Sequence, residues 1–414
     1  MNVDTMRAID RWTGIPLCFA LTLVSRLLGL PPKERPRPKR ILFIELSEMG
    51  STILADPAMR KAKATFDAEL FFVIFRRNAA SLDFLKTVPP DNIYTIREDS
   101  LLTLALDTLG FLRWTRRRGI DTVVDLELFS RFTALLTGLA GAANRVGFHR
   151  FHNEGLYRGE LLSHRVAYNP HIHIAKNFVA LINALAGPAE EVPYSKTLIA
   201  DAETTVPRVV VPAAATVEMQ DRVAAAFPGY QPDRHRLVLF NPNASELLPQ
   251  RRWPPDNFAA LARAVLDRWD DVVILITGAP AEAAEAEELR GRIGHPRLVN
   301  FAGRQRLDEL PALYGIARLM VTNDSGPGHF ASVTAMPTIV LFGPETPALY
   351  GSLGASRPIT AGLACSPCVS AANHRKTACS DPVCMRAITP EQVLAAVEAL
   401  LEPGLESQLA NRQA

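Results

Sequence analysis

The chain has 414 residues, too many for one ordinary hydrophobic core, so two domains are expected. Its 48% apolar and 21% charged residues are the composition of a soluble globular enzyme rather than of a disordered chain. With 45 Lys and Arg against 43 Asp and Glu, the chain as a whole carries no nucleic-acid signature.

The basic residues are unevenly spread. Lys33, Arg35, Arg37, Lys39 and Arg40 cluster ahead of the first strand, and Arg116, Arg117 and Arg118 form a second run. Such runs are solvated surface, or they meet anionic lipid or phosphate. Residues 15–30 read IPLCFALTLVSRLLGL, opened by Pro16 and interrupted by Arg26. This falls short of the roughly 20 apolar residues that span a bilayer, and the PPKERPRPKR that follows does not suit a signal-peptide cleavage site. Residues 1–39 are therefore expected to associate with a membrane, as a helix lying in the interface with the basic run against anionic lipid. The alternative is a helix packed on the protein's own surface. Removing residues 1–39 is expected to leave the two domains intact, because the segment precedes the first strand.

From residue 40 onward strands and helices alternate. Apolar runs at 41–46, 70–75, 92–96, 122–126 and 145–148 read as strands. Helices follow a turn at 47–50, running to about residue 65, and cover 101–118 and 132–139; Pro57 is tolerable in the first only near its first turn. Scattered prolines and AGPAEEVPYS interrupt the periodicity over 183–212, which places the interdomain connection there. A second set of strands spans 237–240, 272–276, 298–301, 319–321 and 338–342, and Thr389-Pro390-Glu391-Gln392 opens a last helix as a capping box. The alternation predicts an α/β fold of two doubly wound, Rossmann-like domains, at 40–190 and 208–388, joined by a linker at 191–207 and followed by a C-terminal helix and tail at 389–414. Open parallel sheets bind ligands at the carboxyl ends of their strands, so the two sheets are expected to face a central cleft.

The strongest chemical signal is Thr322-Asn323-Asp324-Ser325-Gly326-Pro327-Gly328-His329, between a strand and a helix. Gly326 and Gly328 would let backbone approach a ligand, and the helix N-terminus would favour a diphosphate. Ser325 adds a hydroxyl, His329 a cationic donor, and Asp324 an acceptor for a ribose or sugar hydroxyl. A plain strand-to-helix turn with a capping Asp or Ser would read the same way.

The sequence around this motif resembles the ADP-heptose:lipopolysaccharide heptosyltransferases, glycosyltransferase family nine. Asn323 to His329, Leu341-Phe342-Gly343-Pro344-Glu345-Thr346-Pro347 and Tyr350-Gly351 follow in the family's order. Arg251-Arg252-Trp253-Pro254 follows an NPNAS segment containing Asn243, and looks like the family's basic-aromatic-proline motif, with Arg251 at the position that reaches the donor phosphate. Ile276-Thr277-Gly278-Ala279 looks like the loop beside the nucleotide base. Leu46-Ser47-Glu48-Met49-Gly50, Pro57-Ala58-Met59-Arg60, Val124-Asp125-Leu126 and Arg145-Val146-Gly147-Phe148 match the N-terminal half. The resemblance implies a GT-B fold with an acceptor-side first domain and a donor-binding second one, inverting transfer, and no catalytic metal or cofactor. It implies as donor-binding residues Asn243, Arg251, Thr277, Gly278, Asp324, Ser325, Gly326 and His329. The implied partners are a nucleotide-sugar donor and a lipid-linked or lipopolysaccharide-type glycan, with the protein in the cytoplasm, peripheral on the inner membrane.

One departure matters. The family commonly has an aspartate after the loop glycine, taken to be the catalytic base, where this chain has Ser51. Glu48, on the same loop, is the first replacement candidate and Asp56, at the start of the following helix, the second; their bland readings are a loop charge and a helix N-terminal charge. Without a base, the chain would be a nucleotide- or glycan-binding scaffold; an epimerase acting on the sugar nucleotide is the other alternative. Cys365, Cys368, Cys379 and Cys384 are spaced C-x2-C-x10-C-x4-C around His374. Four thiolates at this spacing suit a zinc knuckle, and the alternative is reduced thiols or a labile disulfide in a reducing compartment. His149, Arg150 and His152 follow a strand end in the acceptor half, where they meet acceptor phosphate or carboxylate or are plain surface.

Overall fold

The structure, a computed structural model, describes residues 3–29, 35–150, 156–187, 196–245, 248–370 and 376–402. The chain divides into two compact units, Met1–Thr205 with Ser370–Arg375, and Val206–Val369 with Lys376–Ala414.

Unit 1 runs α1 (Val3–Trp12), α2 (Gly14–Leu27), β1 (Arg40–Ile44), α3 (Met49–Phe66), β2 (Glu69–Phe75), β3 (Ile93–Ile96), α4 (Leu101–Arg118), β4 (Thr122–Asp125), α5 (Arg131–Leu139), β5 (Asn144–His149), β6 (His164–Ala167) and α6 (Ile174–Ala186). Its sheet is wholly parallel, in the order β3-β2-β1-β4-β5-β6. Helices α4 and α5 cover one face and α3 and α6 the other, which is why β1 and β2 read as unbroken apolar runs. On the first face Leu42, Ile44, Phe71 and Val73 pack against Phe111 and Leu136.

Unit 2 repeats the plan with α7 (Ala213–Ala226), β7 (Arg236–Asn241), α8 (Pro255–Arg268), β8 (Val272–Ile276), α9 (Ala283–Ile293), β9 (Leu298–Asn300), α10 (Leu310–Ile316), β10 (Ala317–Asn323), α11 (Gly326–Phe330), β11 (Thr338–Phe342), α12 (Pro347–Tyr350), β12 (Ser356–Thr360), α13 (Val383–Arg386) and α14 (Pro390–Leu401). Its order, β12-β11-β10-β7-β8-β9, is the same doubly wound topology, with the switch point between β7 and β10. The last helix belongs to this core: Val393, Ala396 and Val397 pack with Phe258, Val265 and Leu341.

Three expectations need correction. Pro57 lies in the middle of the 18-residue α3, not in its first turn. It deprives the Ile53 carbonyl of a helical donor, a cost outweighed by the burial of Ile53, Leu54, Ala58, Met59 and Ala62. Asp56 is likewise mid-helix rather than at the helix start. The N-terminal segment is two helices, not one, and it is built into unit 1. Asp10 of α1 accepts hydrogen bonds from the backbone nitrogens of Arg131 and Phe132, at 2.8 and 2.9 Å, and so caps the N-terminus of α5. Its other oxygen lies 3.1 Å from the Arg131 guanidinium. Residues Gly14, Cys18, Thr22 and Ser25 form the buried face of α2. There the chain at Gly159 comes so close that an added Cβ would lie 2.7 Å from Thr22 Oγ1 and 2.9 Å from Cys18 O; its φ is +76° as well. Removing residues 1–39 would take away the Asp10 bonds to Arg131 and Phe132 and uncover the surface of unit 1 on which α2 packs.

Candidate active site

In unit 2 the loops leaving β7, β8, β10 and β11 are stitched together at the carboxyl ends of those strands. Asn241 Nδ2 donates to Thr277 O at 3.1 Å, Asn323 Nδ2 donates to Pro242 O at 2.7 Å, and Trp253 N donates to Asn323 Oδ1 at 3.0 Å. The Trp253 indole is buried in the core, with Nε1 donating to Ile388 O. These bonds fix the short 3₁₀ turn Pro249–Arg251 and so aim the Arg251 side chain.

Arg251 is buried and sits between two buried carboxylates, 3.2 Å from Glu345 and 3.6 Å from Asp324. Its Nε and the side-chain nitrogen of Asn243, on the loop after β7, are both buried without a hydrogen-bond partner among the described residues. A buried donor left unsatisfied costs roughly 1–3 kcal/mol, so each of them describes a place prepared for an acceptor atom. Two carboxylates against one guanidinium hold the cation rigidly, and an incoming anion would meet a fixed donor.

Other expected residues are placed differently. An added Cβ on Gly326 would meet the Phe330 ring at 3.2 Å, a tight contact, whereas one on Gly328 would meet Val340 Cγ2 at 3.4 Å, an ordinary one. Helix α11 is only five residues long and has little dipole to offer a diphosphate. Ser325 is its N-cap position, but its hydroxyl turns back to Asn323 O at 3.1 Å. The Thr277 hydroxyl is buried against Phe240 O at 3.3 Å and ties β7 to β8 rather than facing out. Gly278 is crowded by Glu282, whose carboxylate accepts from Ala279 N at 2.6 Å. His329 is half-buried on α11. Glu345 was not foreseen as a site residue, although it stands in the Gly343-Pro344-Glu345 segment and a carboxylate just past a buried strand was the available signal.

In unit 1 the loop after β1 is surrounded by acids. Glu127, past the end of β4, accepts from Leu46 N at 3.1 Å, Ser47 N at 3.3 Å and Ser47 Oγ at 2.8 Å, and so shapes the loop that carries Glu48. Glu45 is buried beside it; burial, then the charges of Glu127 and Glu48, push its carboxyl well above the usual range. Burial raises Glu127 as well, opposed by the bonds it accepts. Glu48 is the N-cap of α3 and is more exposed than either. Asp56 is fully buried and committed to Arg60, at 2.8 Å, and to Thr87, which removes it as a base candidate. Neither Glu45 nor Glu127 was anticipated: Glu45 reads as a flaw in an apolar strand, and nothing local marks Glu127.

At the ends of β4 and β5 lies a cavity of 370 Å³ lined by residues including Asp125, Phe148, His149, Arg150, Arg158 and Glu160. Arg158 pairs with Asp125 and donates to Ser130 O and Glu127 O at 2.8 and 2.6 Å. His149 lies 3.9 Å from Glu160, with burial lowering its pKa. His152 lies outside the described residues, as does His374 of the cysteine segment. No disulfide joins the five cysteines, and among the described residues no group of three or more His, Cys, Asp or Glu is arranged to hold a metal. Burial and the neighbouring thiols raise the Cys384 pKa.

A family model described as glycosyltransferase family 9 (heptosyltransferase) matches residues 113–378. Lipopolysaccharide heptosyltransferase 2 of Escherichia coli (strain K12) is 31% identical over 114 residues, 27% of this chain and 32% of that protein. Lipopolysaccharide heptosyltransferase 1 of Pseudomonas aeruginosa is 29% identical over 195 residues, 42% of this chain and 52% of that protein. The matched stretch thus spans 32% of the first relative's length and 52% of the second's. Among solved structures, the E. coli ADP-heptose lps heptosyltransferase II is similar with a TM-score of 0.65 and 20% identity, covering 89% of this chain and 99% of that one. The glycosyl transferase family 9 protein from Veillonella parvula gives 0.67 and 18%, covering 88% and 97%. Two doubly wound units in one chain, matched over that length, are the GT-B fold.

Proposed function

The chain belongs to glycosyltransferase family 9, and on that premise we propose that it is an inverting glycosyltransferase moving a heptose from a nucleoside diphosphate donor to a hydroxyl of a lipid-linked, lipopolysaccharide-type glycan. The acceptor oxygen bonds to the anomeric carbon, the carbon–oxygen bond to the diphosphate breaks, and the nucleoside diphosphate leaves with the electron pair. Arg251 and Asn243 meet the diphosphate, whose negative charge grows as it leaves. Asp324 and Glu345 hold Arg251 and accept from donor hydroxyls. Glu48 takes the acceptor proton in place of the family's aspartate, and the cavity at His149 and Arg150 receives the anionic part of the acceptor. An E. coli heptosyltransferase of similar fold, with a TM-score of 0.57 and 16% identity over 87% of this chain and 99% of its own, was solved with ADP, which makes ADP the first probe. The outward face of α2 rests on the cytoplasmic leaflet that carries such an acceptor.

The observation that carries this reading is the buried Arg251, clasped by two acids while its Nε stays open. Calorimetric titration with ADP tests it. Arg251→Lys keeps the charge but loses the fork and should weaken ADP by about tenfold in a folded protein. Arg251→Gln should also lower the melting temperature, because it strands two buried carboxylates; adding Glu345→Gln should restore melting but not binding. Unaltered ADP affinity in both single variants places the donor elsewhere.

A further inference from the structure

Helix α2 is built inside out. Its small residues Gly14, Cys18, Thr22 and Ser25 face unit 1, while Leu17, Phe19, Leu23, Val24, Leu27 and Leu28 face outward, Leu27 being 78% exposed. A helix that only covered its own domain would bury the leucines and show the hydroxyls. A second exposed leucine face lies on α4, whose inward side packs Phe111 into the core. Leu102, Leu106 and Leu109 form an outward stripe at helical spacing, 69%, 55% and 65% exposed. Arg113 and Arg117 follow on the same side, and with Leu112 and Arg116 they form a shallow, open basic patch.

Both helices pack against α5. An added Cβ on Gly138 of α5 would lie 3.0 Å from Leu21 Cδ2 of α2, and Arg116 Nη2 of α4 donates to Leu139 O at 3.0 Å. Helix α2 carries no acidic residue, and the one acid of α4, Asp107, is turned to Arg97 at 2.8 Å. Among the described residues no helix is long and apolar enough to cross a membrane. Two parted leucine faces, each with arginine at its C-terminal end, suit a planar anionic surface that takes apolar side chains to shallow depth.

We propose that α4 is a second membrane contact, so that unit 1 docks on a bilayer through α2 and α4 together, the arginine patch at the end of α4 meeting the phosphate of an anionic phospholipid. This rests on the membrane reading of α2 given above and extends it to a surface outside the N-terminal segment.

The test is sedimentation of the full chain with vesicles of phosphatidylcholine alone or mixed with phosphatidylglycerol. Leu102→Ser/Leu106→Ser/Leu109→Ser should cut binding by about tenfold or more, with melting unchanged because the residues are exposed. Arg113→Gln/Arg117→Gln should remove the preference for phosphatidylglycerol. Leu23→Ser/Leu27→Ser should weaken binding independently. In the unaltered protein, hydrogen exchange over residues 101–118 should slow when vesicles are added. If the α4 variants bind as the parent does and the exchange is unmoved, α4 is no contact, while loss in the α2 variant alone leaves the reading of α2 standing. Binding retained in all variants overturns both. A lipid-free dimer that the leucine variant dissociates, with vesicle binding unchanged, would assign the face to a second copy of the chain and overturn the proposal.

Discussion

Three glutamates stand around the loop where the family's aspartate is replaced by Ser51, and burial separates their chemistry. Glu48 is the most exposed of them, and it is the residue we propose as the base. Glu48→Gln should lower turnover by about a hundredfold while leaving ADP affinity unchanged. Asp56→Asn should do the reverse: turnover per folded molecule is kept, and stability falls by about 1–3 kcal/mol, because the carboxylate answers buried bonds from Arg60 and Thr87. Glu45 predicts a pH effect. Its folded pKa lies above the unfolded value of about 4.3, so its contribution to stability is full below that pH and is lost as pH rises through the raised folded value. Glu45→Gln should therefore flatten the decline of unit 1 melting towards alkaline pH, raising it by a few degrees near pH 8 in a calorimetric scan. An unchanged pH profile would mean that Glu45 is not a buried acid holding its proton.

The elements most legible in the sequence were the central strands and the helices that cross between them. Strands at the middle of a covered parallel sheet are apolar on both faces, as β1, β8 and β11 are, and such runs announce themselves. The edge strands β6 and β12 did not. His164-Arg165-Val166-Ala167 and Ser356-Arg357-Pro358-Ile359-Thr360 are partly or largely exposed, so they carry no apolar run to read, and β12 accommodates Pro358 for the same reason. The helices α6 and α7, which border the proline-scattered stretch 183–212 read as a connection, were not read as helices. The capping box of α14 was legible because its chemistry is local, whereas the bonds that Asp10 adds to the Ser130 cap of α5 come from 121 residues away. Asp10→Ala should lower unit 1 stability by about 1–2 kcal/mol in denaturant unfolding, well above the effect of an exposed charge. A change within experimental error would show that α1 is only draped on the domain.

At the scale of the molecule, motif order announced two similar units, and each unit brings to its switch point a set of groups that the motifs only partly named. Arg251, Asn243 and Asp324 were readable because the resemblance pointed at them; Glu345, which completes the clasp, and Glu127, which shapes the opposite unit's loop, came from strand ends distant in sequence. The central claim is that these groups transfer a sugar rather than merely bind one. The most direct measurement incubates the protein with ADP-heptose carrying a labelled sugar and a lipid-linked glycan acceptor that lacks heptose, and follows label and nucleotide together. Equal release of ADP and gain of label on the lipid, with inverted anomeric configuration and loss of both in Glu48→Gln, is the predicted result. ADP-heptose recovered intact, or isomerised with no label on the lipid, would contradict it.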